Sequence, residues 1–513
     1  MVRLHQPEAG RSNRVDGADS RLHSHVWLPS GLSTRPGTDI HVPYLLLTGL
    51  VSALAAVVVV PATLWQALTV LLWVGFAGVV LFKAACCVVP PRATIAPSNR
   101  PRRWPHYTVV VALKDEAAIV PQLVRRLSRL NYPNSALTGL LVVEPDDRAT
   151  LDAILDTPKP SWLKPLIAPR GHPQTKPRAL NVALEQARPG LLTVYDAEDE
   201  PHPDQLREAA LRFATGDRQL ACLQAPLRIR TLGRRSTWLE RQFAMEYAAL
   251  FEVILPALAR FRLPLPLGGT SNHFRVDVLR RIGGWDAWNV TEDADLGFRL
   301  ARFGYRSDVL GLPTRESPPP NLKAWLPQRT RWLKGFMQTI GVNLRCPIGL
   351  RTSGMIVLAL TLAAAVASAA LQGVVLTWIV ANFLIHALNG SLPSIAPQDS
   401  VLLLLGWAVA LAALALGCRR SGIAVDAWTI VTAPLYWSLT TIAQVHAVWR
   451  LVVQPYHWDK TPHAPDIELA LRKRRTLRNR ARLSTYAASH QSVPDTWKSR
   501  ISTSTTTPTS GPE

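Results

Sequence analysis

The chain has 513 residues, of which 48% are apolar, and it carries a formal charge of +21. Much of the apolar content lies in long uncharged runs, so the composition fits one soluble domain with a membrane part better than several soluble domains. The basic residues cluster beside these runs, as the flanks of membrane segments do, and this placement argues against a nucleic-acid-binding protein.

The amino-terminal part combines a polar segment with the first apolar run. Residues 1–42 are polar and show no helical or strand periodicity, so we expect them to be disordered. Residues 44–82 contain no charged residue, and Pro61 divides them into two pieces of spanning length, which predicts a transmembrane hairpin over residues 43–83. Because a polar segment comes first, we expect no cleavable signal peptide and a cytoplasmic amino terminus.

The hydrophilic stretch 104–346 opens with alternating strand and helix patterns. Residues 107–112 form a β-branched run, residues 119–130 carry apolar side chains at helical spacing, and residues 137–143 are apolar again. A further helix is predicted over residues 179–187 and a strand over residues 191–195. Strand–helix–strand units of this kind form parallel, doubly wound sheets, so we predict an α/β domain.

Acidic residues follow the predicted strands at the points where they end. They are Asp115 and Glu116 after the first strand, Asp146 and Asp147 after the second, and Asp196, Glu198 and Asp199 after the third. The carboxyl ends of parallel strands share one edge of a sheet, where open sheets bind ligands. Carboxylates gathered there can hold Mg²⁺ or Mn²⁺ together with phosphate oxygens. An acidic loop that only solvates a turn is the weaker alternative.

Two further patterns come later in the domain. Residues 291–293, Thr-Glu-Asp, begin a predicted helix that ends near residue 304, with the threonine as its cap. Residues 328–332, Gln-Arg-Thr-Arg-Trp, begin an amphipathic segment, 328–340, of the kind that lies at a membrane interface. Each pattern alone also has an ordinary explanation, namely an acidic first turn and a membrane anchor.

A second membrane block covers residues 352–453. Uncharged runs extend over residues 355–388 and 401–417, whereas residues 423–453 should be re-entrant, interfacial or a short hairpin rather than one crossing. The basic flanks predict that both termini and the 104–346 domain are cytoplasmic. The tail, residues 454–513, is basic and ends in low-complexity sequence, so we expect it to be largely disordered.

The order of these motifs resembles the membrane-bound family 2 glycosyltransferases, the superfamily of cellulose and hyaluronan synthases, over about residues 104–463. The resemblance implies a GT-A-type, Rossmann-like catalytic domain inserted between α-helical transmembrane segments, in a bacterial inner membrane. It also implies an inverting transferase that moves a sugar from a nucleotide diphosphate to a polysaccharide or lipid-linked acceptor. Mg²⁺ or Mn²⁺ is the implied cofactor, and membrane lipids are the implied surroundings.

The same resemblance implies roles for particular residues. Asp293 corresponds to the catalytic base, with Glu292 beside it. The residues expected to bind the nucleotide sugar are Asp146, Asp147, Lys176, Asp196, Gly269 and Thr270. A solvated basic loop at Lys176 and a structural turn at Gly269 are the alternatives. The residues expected to bind the metal are Asp196, Glu198 and Asp199, which depart from the family's Asp-x-Asp by the glutamate. The residues expected to face the acceptor and the diphosphate are Gln328, Arg331 and Trp332.

Three alternatives remain open at this point. The first is a non-processive enzyme that adds one sugar to a lipid carrier. The second is a transporter, which would place ionisable residues inside its spans, whereas the confident spans here contain no Asp, Glu, Lys or Arg. The third is a receptor that binds a nucleotide sugar without turnover, and the presence of Asp293 argues against it.

Overall fold

The computed structural model describes residues 28–35, 62–91, 103–231, 236–391 and 397–458. All of these residues belong to one compact unit, Met1–His463. The first half of the predicted hairpin, most of residues 1–42 and the tail after residue 458 lie outside the described residues.

Strands occur where the apolar runs predicted them, and several more follow. In chain order they are β1 Tyr107–Leu113, β2 Leu137–Val143, β3 Leu163–Ile167, β4 Leu191–Tyr195, β5 Glu200–Pro201, β6 Leu220–Gln224, β7 Leu227–Ile229, β8 Asn272–Arg275, β9 Arg306–Val309 and β10 Thr314–Glu316. Seven of them form a sheet in the order β3-β2-β1-β4-β8-β6-β9, and a small sheet has the order β5-β10-β7.

The large sheet is mixed rather than wholly parallel. The β1, β2, β3 and β4 strands pair in parallel, as predicted. In contrast, β8 is antiparallel to both β4 and β6. The reason lies in the path of the chain, which reaches the first residue of β8, Asn272, at the carboxyl end of β4, beside Val194. The α/β architecture is confirmed, with one reversed strand beside the predicted ligand edge.

Helices cover the sheet and form the apolar blocks. In chain order they are α1 Ala62–Val88, α2 Val120–Leu127, α3 Arg148–Asp156, α4 Lys176–Gln186, α5 Gln205–Thr215, α6 Trp238–Ala249, α7 Leu255–Arg260, α8 Val276–Arg281, α9 Glu292–Arg302, α10 Leu322–Arg345, α11 Thr352–Leu358, α12 Ala364–Leu388, α13 Pro397–Ser421, α14 Ala427–Val431 and α15 Ala433–Val453. Single π-helical turns, Leu250–Ile254 and Ala359–Ala363, join α6 to α7 and α11 to α12.

Apolar side chains fill both faces of the large sheet. Successive residues of a strand point to opposite faces, so Val109 packs with Leu123 of α2 on one side, whereas Val110 packs with Leu180 of α4 on the other. A strand that is buried on both faces needs an unbroken apolar sequence, which explains the run that begins at Tyr107. The polar residues after each strand are thereby held at the edge of a rigid layer.

Four helical stretches in the described part of the chain are long and apolar enough to cross a membrane, namely Thr69–Val88, Trp238–Arg260, Thr352–Leu388 and Pro397–Ser421. Three of them fall in the predicted membrane blocks. Trp238–Arg260 was not predicted as a span, and 78% of its most apolar part is buried within the protein. The α15 helix, in the undecided stretch 423–453, is not among the four.

The Trp238–Arg260 helix joins the α/β domain to the second membrane block. A Cβ atom added to Gly417 of α13 would lie 2.5 Å from the carbonyl carbon of Ala248 in α6, so the two helix backbones touch. The Arg420 guanidinium donates a hydrogen bond to the carbonyl oxygen of Glu252 at 2.8 Å. The side chain of Gln242 donates to the carbonyl oxygen of Thr429 at 2.6 Å.

Residues 28–35 are ordered, in contrast to the disorder expected for the whole of residues 1–42. Ser33 Oγ donates a hydrogen bond to Asp286 Oδ1 at 2.9 Å, and the Thr34 amide donates to Asp286 Oδ2 at 2.7 Å. Arg345 at the end of α10 donates to the carbonyl oxygen of Ser33 at 2.6 Å. Order here depends on a buried carboxylate far away in the sequence, which local composition does not reveal.

Candidate active site

A cavity of about 320 Å³ lies at the carboxyl edge of β1 and β4. This volume falls within the range of roughly 300–1,000 Å³ that is usual for small-molecule sites. Residues from the sheet edge, α4, α9 and α10 line the cavity together. The sequence-predicted residues among them are Lys176, Asp196, Glu198, Gly269, Thr270, Glu292, Asp293, Gln328, Arg331 and Trp332.

Asp196 and Lys176 form the centre of one wall of the cavity. Asp196 follows β4 directly, and Lys176 is the first residue of α4, so the packing of α4 on the sheet brings them together. The ammonium of Lys176 pairs with Asp196 Oδ1 and donates to the carbonyl oxygen of Gly269 at 2.7 Å. Burial opposes the charge on Lys176, but the carboxylates of Asp196, Glu292 and Asp293 raise its pKa above the ordinary value. The amine therefore remains a cation.

Asp199 lies beneath this wall and does not line the cavity. It is fully buried, and its Oδ2 accepts a hydrogen bond from the Asp196 amide at 2.8 Å and another from the Thr270 hydroxyl. Burial, with the charges of Asp196 and Glu198, raises the pKa of Asp199 well above its usual range. Of the two acids predicted beside Asp196, Glu198 faces the cavity, whereas Asp199 holds the loop in shape.

Asp146 and Asp147 do not line the cavity either, although they follow β2 as predicted. Asp147 caps α3 by accepting a hydrogen bond from the Thr150 amide at 3.1 Å, and it also accepts from the Asp115 amide at 2.5 Å. Asp146 is exposed to solvent. Glu144, the first residue after β2, lines the cavity and pairs with Arg178 at 3.2 Å.

Glu292 and Asp293 also line the cavity, in the first turn of α9. Thr291 is the residue before this helix, as predicted, but its side chain makes no capping hydrogen bond. Burial, with the neighbouring Asp293 charge, raises the pKa of Glu292 to about 8. Burial also raises the pKa of Asp293, although the Ala294 amide, Lys176 and Arg331 act against this shift. The pair can thus take up a proton near neutral pH.

The motif on α10 faces the same cavity. The helix starts at an Asn321 cap, which accepts a hydrogen bond from the Ala324 amide at 3.0 Å, and it continues well beyond the predicted 328–340. Gln328 Oε1 is buried and has no hydrogen-bond partner within the described ranges. Arg331 donates to the carbonyl oxygen of Val290, and its guanidinium carbon lies 4.6 Å from the ring centroid of Trp458. The Trp332 ring packs against Tyr247, with 6.0 Å between centroids.

Several lining residues were missed by the sequence reasoning. Glu316 ends β10, Trp458 comes after the last helix, and Tyr247 and Phe251 lie on or just after α6. Tyr247, Phe251 and Glu316 belong to no recognisable local pattern, since each is carried to the cavity by long-range packing. The apolar run 238–260 could have indicated a buried helix beside the site.

The cavity suits a divalent cation that is bound partly by protein carboxylates and partly by the oxygens of a diphosphate. Acidic residues outnumber basic ones on its walls; they are Asp115, Glu116, Glu144, Asp196, Glu198, Glu292, Asp293 and Glu316, against Lys114, Lys176 and Arg331. Among the residues that the structure describes, no three His, Cys, Asp or Glu side chains are arranged to hold a metal ion by themselves. An ion such as Mg²⁺ needs only one or two carboxylates when phosphates complete its coordination.

Comparison with known proteins agrees with this geometry. The family model described as "Glycosyl transferase family group 2" matches residues 191–449, half of the chain. The chain is 24% identical over 237 residues to the probable glycosyltransferase YdaM of Bacillus subtilis, covering 46% of this chain and 56% of that one. It is 28% identical over 267 residues to a beta-monoglucosyldiacylglycerol synthase of Synechocystis, covering 50% and 53%. The chain thus spans about half the length of these curated relatives.

Among solved structures, the chain is similar to the mannosyltransferase PcManGT from Pyrobaculum calidifontis, solved in complex with GDP-Man and Mn²⁺. The similarity has a TM-score of 0.47 at 18% sequence identity and covers 75% of this chain and 97% of that one.

Proposed function

Because this chain belongs to glycosyl transferase family group 2, we propose that it is an inverting, metal-dependent transferase of the membrane surface. It moves a sugar from a nucleotide diphosphate to a polysaccharide or lipid-linked acceptor. One observation carries the proposal: Asp196, Lys176, Asp293 and Trp332 line one cavity together. These are the groups that a donor diphosphate, an acceptor hydroxyl and an acceptor ring require.

Asp293 is the general base in this proposal. Its carboxylate takes the proton of the acceptor hydroxyl while the hydroxyl oxygen bonds to the anomeric carbon of the donor sugar. The bond between that carbon and the diphosphate oxygen breaks, and its electron pair leaves with the nucleotide diphosphate. Attack from the side opposite the leaving group inverts the anomeric configuration. A Cβ atom on Gly269 would lie 3.2 Å from Asp293 Oδ2, so the glycine keeps space beside the base.

The leaving diphosphate is stabilised by cations on two elements. Lys176 on α4 and Arg331 on α10 both line the cavity and present positive charge to it. Asp196 and Glu198 are the residues that would hold Mg²⁺ or Mn²⁺, which when bound neutralises charge on the diphosphate. Gln328 Oε1, which is buried without a partner in the described part of the chain, can accept a hydrogen bond from an acceptor hydroxyl.

We place the catalytic domain on the cytoplasmic face of a bacterial inner membrane, which the enzyme crosses several times. The helices Thr352–Leu388 and Pro397–Ser421 would then leave Asn389 outside the cell. A cysteine introduced at Asn389 should react with an impermeant maleimide on intact cells, and one introduced at Arg281 should not, both in a variant without the native cysteines. Equal labelling at the two positions would reject this orientation.

A lipid acceptor that receives a single sugar is the second candidate, and the composition of one cavity wall favours it. Apolar side chains also line the cavity, and they include Leu250, Phe251, Leu267 and Phe336. Leu250 and Phe251 lie in the π-helical turn after α6, and α6 touches α13 of the membrane block. An apolar wall so close to a membrane helix suits an amphiphilic acceptor.

Radiolabelled nucleotide sugars offered to membranes that contain the protein test the proposal. We expect one donor to be incorporated into a lipid-extractable or polymeric product in a metal-dependent way. Membranes with the Asp293→Asn variant provide the matched control. Incorporation that is equal in the control membranes, or absent with every donor, would contradict the proposed function. The length of the product then separates single addition from polymerisation.

A further inference from the structure

Glu316 lines the cavity but has no place in the mechanism described above. It is the last residue of β10, in the small sheet, and only 8% of its surface is exposed. Its main chain is fixed on one side, because β10 pairs in parallel with β7 and the Glu316 carbonyl oxygen accepts a hydrogen bond from the Arg230 amide at 2.8 Å. The side chain is thus held at a defined position of the wall.

The carboxyl group of Glu316 has an unused hydrogen-bonding atom. Its Oε1 is buried and has no hydrogen-bond partner within the part of the chain that the structure describes. A buried polar atom without a partner is costly, and native proteins generally supply one, either from the protein, from water or from a ligand. Because Glu316 lines the cavity, a ligand can supply the missing partner.

The surroundings of Glu316 indicate which part of the ligand it faces. Burial, followed by the carboxylates of Asp199, Glu198 and Asp196, raises the pKa of Glu316 well above its usual range, while Lys176 acts against this shift. Of these residues, Asp196, Glu198 and Lys176 line the cavity and are the ones proposed above to face the donor. A carboxyl oxygen accepts a hydrogen bond from a hydroxyl group, so Oε1 of Glu316 suits a hydroxyl of the donor sugar.

We propose that Glu316 binds a ring hydroxyl of the sugar that is transferred and thereby helps to select the donor. This inference rests on the proposed transferase function. A site built to bond a hydroxyl discriminates strongly against an analogue that lacks it, because the buried protein group is then left unpaired. Glu316 is accordingly a specificity residue that contacts substrate and not the base, which is Asp293.

The experiment measures kcat/KM of the wild type and of Glu316 variants with a complete donor and with analogues that each lack one hydroxyl. The donor is whichever of UDP-glucose, UDP-galactose, UDP-N-acetylglucosamine and GDP-mannose the purified wild type hydrolyses fastest, together with its monodeoxy analogues. The variants are Glu316→Gln, which keeps the size and the hydrogen-bonding oxygen, and Glu316→Leu, which removes that oxygen. Asp277→Asn, an exposed substitution on α8, is the matched control. Binding of the corresponding nucleoside diphosphate checks that each variant is folded.

We expect Glu316→Leu to lower kcat/KM for the complete donor by about 10- to 100-fold, the effect of one lost buried hydrogen bond. Glu316→Gln and Asp277→Asn should remain within about threefold of the wild type. For one monodeoxy donor, kcat/KM should already be low with the wild type and should not fall further with Glu316→Leu. A purely structural role of Glu316 would instead lower kcat/KM for every donor.

Three results would overturn the inference. The first is an equal loss with every donor, complete or deoxy, in Glu316→Leu. The second is loss of metal activation in Glu316→Gln, which would make the residue a cation ligand. The third is an unchanged kcat/KM in Glu316→Leu. If the wild type turned over no donor in the panel, the proposed function itself would fail and this role would fail with it.

Discussion

The guanidinium carbon of Arg329 lies 4.7 Å from the centroid of the Trp332 ring, and the same guanidinium forms a bidentate ion pair with Glu246. Arg329 also donates to the hydroxyl of Tyr436 at 2.8 Å. Glu246 lies on α6 and Tyr436 on α15, so the ion pair and the hydrogen bond of Arg329 join three helices beside the Trp332 ring.

Breaking the Arg329 pair should destabilise the protein. Removal of one partner from a fully buried ion pair costs about 3–5 kcal/mol, because the other charge is left unpaired. The Glu246 side chain is 36% exposed, so solvent screening reduces the expected loss for Arg329→Met to about 1–3 kcal/mol. Arg281→Met, which breaks the exposed pair with Asp277, is the control and should cost less than about 0.5 kcal/mol. Equal melting temperatures of the two variants in detergent would contradict the expectation.

The Trp332 ring should matter for acceptor use more than for donor use. Trp332→Phe should weaken transfer, and Trp332→Ala should nearly eliminate it, because the aromatic face toward the acceptor sugar is lost. Hydrolysis of the donor by water should survive, since Asp196 and Lys176 are unchanged. The measurement is the ratio of transfer to hydrolysis in solubilised enzyme, with helix content checked by circular dichroism. An unchanged ratio in Trp332→Ala would reduce the motif to a membrane anchor.

Asp293→Asn separates chemistry from binding. The amide keeps the size of the side chain but cannot accept the acceptor proton, so turnover should fall by about two to four powers of ten. Nucleotide affinity should change little, because Asp196 and Lys176, which are proposed to face the diphosphate, are unchanged. Stopped assays of product formation, paired with nucleotide binding to the same preparation, measure both quantities. Near-normal turnover in Asp293→Asn would contradict its assignment as the base, and Glu292 or Asp295 would be tested next.

The pH dependence of turnover should report the acidic pair. Asp293 must be ionised to act as a base, and burial raises its pKa, so turnover should fall as the pH decreases through this raised value. The positive charge of Lys176 lowers the pKa values of both Asp293 and Glu292. Lys176→Met should therefore shift the acid limb of kcat to higher pH, measured at saturating donor. A shift to lower pH, or no shift, would show that another group controls this limb.

Asp196 should govern dependence on divalent metal. Asp196→Ala should abolish turnover and metal-dependent donor binding and leave the fold intact, because the carboxylate faces a solvated cavity and its side chain is 28% exposed. Asp152→Ala, on α3 and away from the cavity, is a suitable control. Wild-type activity that persists in a chelator would refute the proposed role of the metal.

Local patterns predicted the elements that carry the site, but not every contact within it. Strands β1, β2 and β4 and the acidic residues after them follow from apolar runs and from the geometry of parallel sheets. The roles of Asp147 and Asp199 could not be derived in the same way, because a carboxylate after a strand can cap a helix or brace a loop as well as it can bind a ligand. Their positions outside the cavity are decided by the Thr150 and Thr270 partners.

Residues that lie far from the motifs in the sequence were not predicted to line the cavity. Glu316 reaches the cavity through the small sheet, a path that has no local signature, and Trp458 reaches it through the segment that follows α15. The apolar stretch 238–260 also shows that hydropathy cannot distinguish a span from a helix buried beside a membrane block, because both bury the same side chains.

The close contact between Gly417 and Ala248 limits how such an enzyme can be divided or recombined. Any side chain at position 417 would collide with the backbone of α6, so the surface of α6 is fitted to this particular neighbour. A transferase domain that is cut out at residue 345, or grafted onto an unrelated anchor, would lose that fit and expose an apolar helix. We infer that a change of acceptor specificity should be engineered with α6 and α13 kept together.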